Sequence, residues 1–236
     1  MGVGKTLARS LAPAAVKIAP QVTAGFVREV LDRAIDGFGP LSGAAAAADR
    51  RLTRAHGDVD RAIHDLIEGH VRMAGVQGFA TNLGGIVTLA LTMPANISGL
   101  AILQCHLVAG IAHLRGYALD DRRVRNAVLA CLLGEDSLDA LVEQGSLPST
   151  PMAIATAPVY DPQLDRQVAS LVTAELLARV TGRRLVISFG RRTPLLGGGV
   201  GAVSDAYSTY RVGRYADREL LARPPAHHGR GEASGT

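Results

Sequence analysis

Residues 73–114 read MAGVQGFATNLGGIVTLALTMPANISGLAILQCHLVAGIAHL, 42 consecutive positions without Asp, Glu, Lys or Arg. Arg72 and Arg115 close the run at its two ends. Gly84-Gly85 and Met93-Pro94 punctuate it, so it divides into two apolar pieces, 73–91 and 94–114, with Thr92 placed to cap the second and Pro94 in its first turn. At 1.5 Å per residue the second piece spans ~32 Å, the thickness of a bilayer core. Two readings follow, a buried central hairpin and a transmembrane span. Against the span stand Asn96, Gln104, His106 and His113, each costly in hydrocarbon unless it faces protein. Aromatic belts are also missing apart from Phe79 and Tyr117. The buried hairpin is the favoured reading.

The flanking sequence is helical in pattern. Val22, Phe26, Val30 and Ala34 recur at four-residue spacing in 21–38, and the run 44–48 is alanine-rich. Over 58–76 an apolar stripe of Val59, Ala62, Ile63, Leu66, Ile67, Val71 and Ala74 follows a capping Asp58. Asp120-Asp121 opens a helix to Leu133, Ser137 opens a shorter one to Gln144, and Asp161-Pro162 opens one that ends at Gly182. A last helix is expected from about Val200 to Leu221. Leu185–Phe189 alone has the composition of a strand, and one strand makes no sheet. The expectation is an all-α, single multi-helix domain with a central apolar helical hairpin and a glycine-rich C-terminal helix. Residues 1–57 form an N-terminal helical segment, 58–222 the main domain, and 223–236 a disordered tail.

Composition limits the function classes. The chain has 236 residues, 47% of them hydrophobic, which excludes general disorder. Only 4% are aromatic, none is Trp, and 27 are glycine, so the core must be built from small side chains and close backbones. Two cysteines rule out a disulfide framework or a four-cysteine zinc site. A net charge of +4 permits contact with anionic lipid, but basic and aromatic residues do not interleave and no nucleic acid is expected as a partner. No signal peptide is read in the first residues, and the myristoylation-like start is taken as chance. Gly4-Lys5-Thr6 lacks the upstream glycine and strand of a phosphate-binding loop.

A second apolar segment, TPLLGGGVGAV at 193–203, follows Arg191-Arg192. Gly197 and Gly201 have the small-xxx-small spacing that lets helices approach closely. Gly84, Gly85, Gly110, Gly197, Gly198 and Gly201 are the positions expected to pack tightly. The same segment imitates a dinucleotide fingerprint, without the βαβ unit that motif needs. Arg191, Arg192, Arg211 and Arg214 are candidates for lipid head groups.

The segments GFATNLGG at 78–85, TMPAN at 92–96, IAHLRGY at 111–117 and CLLG at 131–134 resemble the central region of EcsC-like bacterial proteins. TPLLGG at 193–198, with Gly201, Asp205, Thr209, Val212 and Gly213, is similar to that family's C-terminal glycine-rich helix. The resemblance covers about residues 60–222. It implies a helical, membrane-associated protein and supplies no catalytic residues.

Candidate chemistry centres on histidine. His56, Asp60, His64 and Glu68 stand at four-residue steps and could present a metal site, or a solvated face with ion pairs. The HExxH spacing is absent, and a structural face is favoured over a metal. His70 falls on the apolar side between Ile63, Leu66 and Ala74, where a neutral imidazole needs a partner. His106 and His113, seven apart, share a helix face and could pair. Asn82, Asn96 and Asp205 are further polar groups in apolar surroundings, and Asp205 calls for an arginine. No residue is assigned a catalytic role and no cofactor is implied. The function expected is non-enzymatic and membrane-associated. The protein would be cytoplasmic, peripheral at the inner face of the membrane, and would engage lipid or a transporter-type partner. The alternative is a hydrolase or metal-dependent enzyme using the His56/His64/Glu68/His70 region.

Overall fold

Every residue from Ala101 to Ala112 is buried, so the helix that carries them must be wrapped by others on all sides. The computed structural model describes residues 20–38, 41–83, 85–189 and 194–223. In chain order these give helix α1 (Pro20–Asp36), a two-residue ladder of β1 (Gly37–Phe38) and β2 (Leu41–Ser42), then α2 (Ala44–Arg54), α3 (Val59–Leu83) and α4 (Gly85–Leu114). There follow α5 (Arg122–Cys131), α6 (Glu135–Glu143), α7 (Pro151–Thr156), α8 (Pro162–Phe189) and α9 (Pro194–Glu219). The all-α expectation holds, with 78% of the described residues helical.

The helix starts follow from local chemistry. Oδ1 of Asp58, Asp121 and Asp161 accepts from the backbone N–H of Arg61 (3.0 Å), Arg123 (2.8 Å) and Gln163 (2.7 Å). Each satisfies a donor that has no partner inside its helix. The ladder pairs Gly37 with Ser42 and Phe38 with Leu41. Gly37 sits at φ +99°, and a Cβ there would stand 2.7 Å from the Gly43 nitrogen and the Leu41 oxygen. Glycine is obligatory at that corner.

Three boundaries depart from the sequence expectation. α3 ends at Leu83 and α4 begins at Gly85, so the first helix of the hairpin runs well past Ala74 and α4 continues through Pro94. A proline removes one hydrogen bond, which a helix with long apolar flanks can carry. Leu185–Phe189 is helical, the end of α8, because a lone strand could not satisfy its backbone while a helix does so internally. α9 starts at Pro194, a residue suited to a first helical turn, and so includes the glycine run. α7 was not anticipated.

α4 lies at the centre, against α1, α2, α3, α5 and α9. α3 and α9 run antiparallel beside one another: Gly75 faces Ala202 and Ala206, and Gly213 faces Ile67. The core includes Ile63, Leu66, Leu107, Ile111, Leu129 and Leu220, each at most 1% exposed. Every such side chain contributes roughly 1.5–3 kcal/mol of burial. One end of the bundle is clamped by Arg115, which reaches Asp60 (3.0 Å) and Asp217 (2.8 Å), and by Tyr117, whose hydroxyl donates to the Leu221 carbonyl (3.0 Å). Among the described residues no helix is long and apolar enough to cross a membrane.

Gly213 sets the approach of α9. A Cβ there would meet Leu107 at 3.0 Å and Ile67 at 3.1 Å, both fixed core side chains. Gly213→Leu is expected to overpack the interface and destabilise by about 1–3 kcal/mol in urea melts. Gly25→Ala in α1, where nothing lies within 4 Å of the added atom, is expected to stabilise by about 0.5–1 kcal/mol.

Candidate functional site

His70 and His106 meet in the interior. Both are 1% exposed, one on α3 and one on α4, with ring centroids 5.0 Å apart. His70 Nδ1 lies 2.7 Å from the Leu66 carbonyl, His70 Nε2 lies 2.8 Å from His106 Nδ1, and His106 Nε2 lies 2.8 Å from the Ser42 carbonyl. The chain of contacts therefore runs from a carbonyl of α3, through two imidazoles, to a carbonyl of β2.

Proton counting makes this arrangement unusual. A carbonyl oxygen only accepts, so His70 Nδ1–H donates to Leu66 and His106 Nε2–H donates to Ser42. Those two bonds use the two protons that two neutral rings carry. The central nitrogen–nitrogen contact then needs a third proton, which would place a positive charge in the core. Burial lowers the pKa of both rings. The bonds to Leu66 and Ser42 oppose this, while Arg51 lowers both and Arg50 also lowers His106. The pair is thus neutral at pH 7, and one of its three contacts lacks a proton.

The neighbours of the pair belong largely to α2. Arg51 Nε donates to the Asp65 carbonyl (3.2 Å) and its guanidinium covers Gly69, while Arg50 donates to the Ser42 hydroxyl. Cys105, beside His106 in sequence, is fully buried, and burial pushes its thiol up to about 12. It is no nucleophile at neutral pH.

The other expected positions are dispersed. His113 pairs with Asp49 of α2 (2.8 Å) at the surface and not with His106. His56 lies in the turn before α3, at φ 54°, so it leaves the proposed ladder. Asp60 pairs with Arg115, and His64 stands 3.8 Å from Glu68 on an exposed face. Among the described residues no group of three His, Cys, Asp or Glu could hold a metal ion. Asp205 is buried on α9. Nearby, the Gln104 amide donates to Ser208 (3.2 Å) and Thr209 (3.4 Å), a polar seam between α4 and α9. A Cβ on Gly110 would stand 2.8 Å from a Leu66 methyl, the close packing expected there. Arg211 and Arg214 are exposed and pair with Asp136 (2.8 Å) and Asp217 (3.2 Å). Gly84, Arg191 and Arg192, and the side-chain surroundings of Asn82, Gly85, Asn96, Gly197, Gly198 and Gly201, lie outside the described residues.

The His70–His106 pairing was the feature that single positions could not announce. Its signal was two histidines on the apolar faces of consecutive long helices. The register of the hairpin, which brings Leu66 to Gly110 and Gln77 to Gly99, was needed to join them.

The chain matches no family model, no curated protein and no solved structure.

His70→Leu removes the N–H that donates to the Leu66 carbonyl and the ring that stacks on His106 in the core. A loss of about 1–3 kcal/mol is expected in urea melts at pH 7.5. His64→Ala, on the exposed face of the same helix, is expected to leave the melt unchanged.

Proposed function

We propose that this is a non-enzymatic, membrane-associated helical protein, similar to EcsC-like proteins, that enters a lipid surface peripherally at the end of the bundle where α3 finishes and α9 begins. One observation carries the reading. Along the outer face of α9, Val203 (70% exposed), Tyr207 (62%), Tyr210 (48%) and Arg214 follow one another at helical spacing. Apolar, aromatic and basic groups thus succeed one another over about 16 Å, the order of hydrocarbon, interface and head group.

The adjoining helix repeats the order. Val76 (71% exposed) and Met73 (39%) lie on α3 beside this stripe, and Arg72 follows. The sequence beyond Val76 and before Val203 carries no charge from 73 to 114 and from 193 to 204. Solvent-exposed apolar groups contiguous with charge-free sequence favour a hydrocarbon partner. Arg72, Arg211 and Arg214 already have carboxylate partners, so apolar burial provides the main attraction and anionic lipid adds to it. A transporter-type partner in the same membrane would meet the same face.

Flotation with phosphatidylcholine vesicles containing phosphatidylglycerol tests the proposal. The protein is expected to float with vesicles, and moderate salt is expected to weaken binding only slightly. Val76→Asp combined with Val203→Asp is expected to lower the bound fraction at least tenfold without changing the melt. Absence of flotation by the parent protein would remove the lipid reading.

A further inference from the structure

We propose that His70 and His106 form a proton-operated latch, which holds the β1–β2 corner and α2 against the α3–α4 core and is released when the pair takes up a proton. The latch is independent of lipid binding.

The geometry supplies both the hold and the release. When closed, His106 fastens the Ser42 carbonyl, the last residue of β2, while His70, anchored to the Leu66 carbonyl of α3, stacks against His106. An added proton would fill the vacant central contact, but the pair would become a buried cation. Among the described residues, the fixed charges that act on the pair are the cations Arg50 and Arg51, and both stand on α2. Repulsion therefore falls on the element that the latch holds. Arg50 also holds the Ser42 hydroxyl, so its displacement loosens the same corner.

Among the described residues, the remaining charged groups do not neutralise a proton on the pair. On α3, Asp65 raises the pKa of Arg51, next to which it stands, and Glu68 pairs with Arg72. Within α2, Asp49 is engaged by His113 of α4 at the surface. At the level of His70, α9 presents Thr209, with Asp205 one turn further along that helix. Cys105 of α4 remains a thiol.

The sign follows from linkage. Both folded-state imidazoles lie below their ordinary value of 6.5, so the closed form binds fewer protons than the open form. Closure is complete above that pH and weakens as pH falls below it. His70, pushed down to about 3 when closed, raises the opening constant about 30-fold between pH 7.5 and pH 5 if it titrates freely once open, and His106 acts in the same direction.

Hydrogen–deuterium exchange of the whole protein at several pH values, corrected for intrinsic rates, reads the latch directly. Acidification to pH 5 is expected to speed exchange in residues 41–54 by at least tenfold, before the α5–α8 region responds. His70→Asn with His106→Gln keeps one donor toward each carbonyl and cannot titrate, and this variant is expected to lose the pH response. Arg51→Gln, with both histidines in place, is expected to shift the response to lower pH. The latch is overturned if the double variant keeps the parental response, or if all helices open together. Should the double variant fail to fold, an unchanged response in Arg51→Gln overturns it equally.

Discussion

Total enclosure of the middle of α4 is the constraint on which the rest of the structure depends. Residues 101–112 have no face left for solvent. An amphipathic helix can leave a polar group in water, but this one cannot, so each polar side chain on it must find a partner within the bundle. Gln104 finds hydroxyls on α9, and His106 finds His70 and a carbonyl of β2. The partners then fix what surrounds α4: a hydroxyl-bearing turn of α9 on one side, and the corner between α1 and α2 on another.

Small residues make such enclosure possible. Helices packed through Leu and Phe on every side would stand too far apart for the central helix to touch so many neighbours. Gly110, lying under Leu66, and Gly213, lying over Leu107 and Ile67, bring α3 and α9 in to contact distance. Alanines complete the close faces: Ala101, Ala109 and Ala112 on α4 are all fully buried. The low aromatic content therefore reflects how many helices share the core, and dense packing replaces large side chains.

Much of this was legible in the sequence because it depends on local signals. Asp58, Asp121 and Asp161 marked helix starts through an interaction with the next turn. The stripe ending at Ala74 marked the buried face of α3. The failures share a different cause. Met93-Pro94 offered a stronger local break than Gly84-Gly85, yet the turn is set by where α3 and α4 must lie, not by the local breaking power of proline. Leu185–Phe189 has strand composition, but composition cannot supply a pairing partner. His70 could be placed on a buried face from its spacing, whereas its partner, thirty-six residues away, depends on hairpin register. His113 had the same spacing argument as His106 and met a surface carboxylate. Face was readable, and cross-helix partnership was not.

The two polar contacts of α4 also resolve a problem that its small, apolar surface creates. Faces of alanine, glycine and leucine repeat every turn, so α4 could shift by one turn against α3 or α9 and still bury comparable area. Polar groups remove that degeneracy. A one-turn slip of α4 would place Ile102 or Gly110 opposite His70 and take His106 away from the Ser42 carbonyl. The same slip would remove the Gln104 amide from Ser208 and Thr209. Each abandoned donor or acceptor costs about 1–3 kcal/mol in the interior, so the register holding all these contacts lies several kcal/mol below its neighbours. Discrimination against slipped alternatives follows even though buried polar groups add little to net stability. On this argument the histidine pair specifies how the hairpin closes, and its missing proton is the tolerated defect of a contact selected for position.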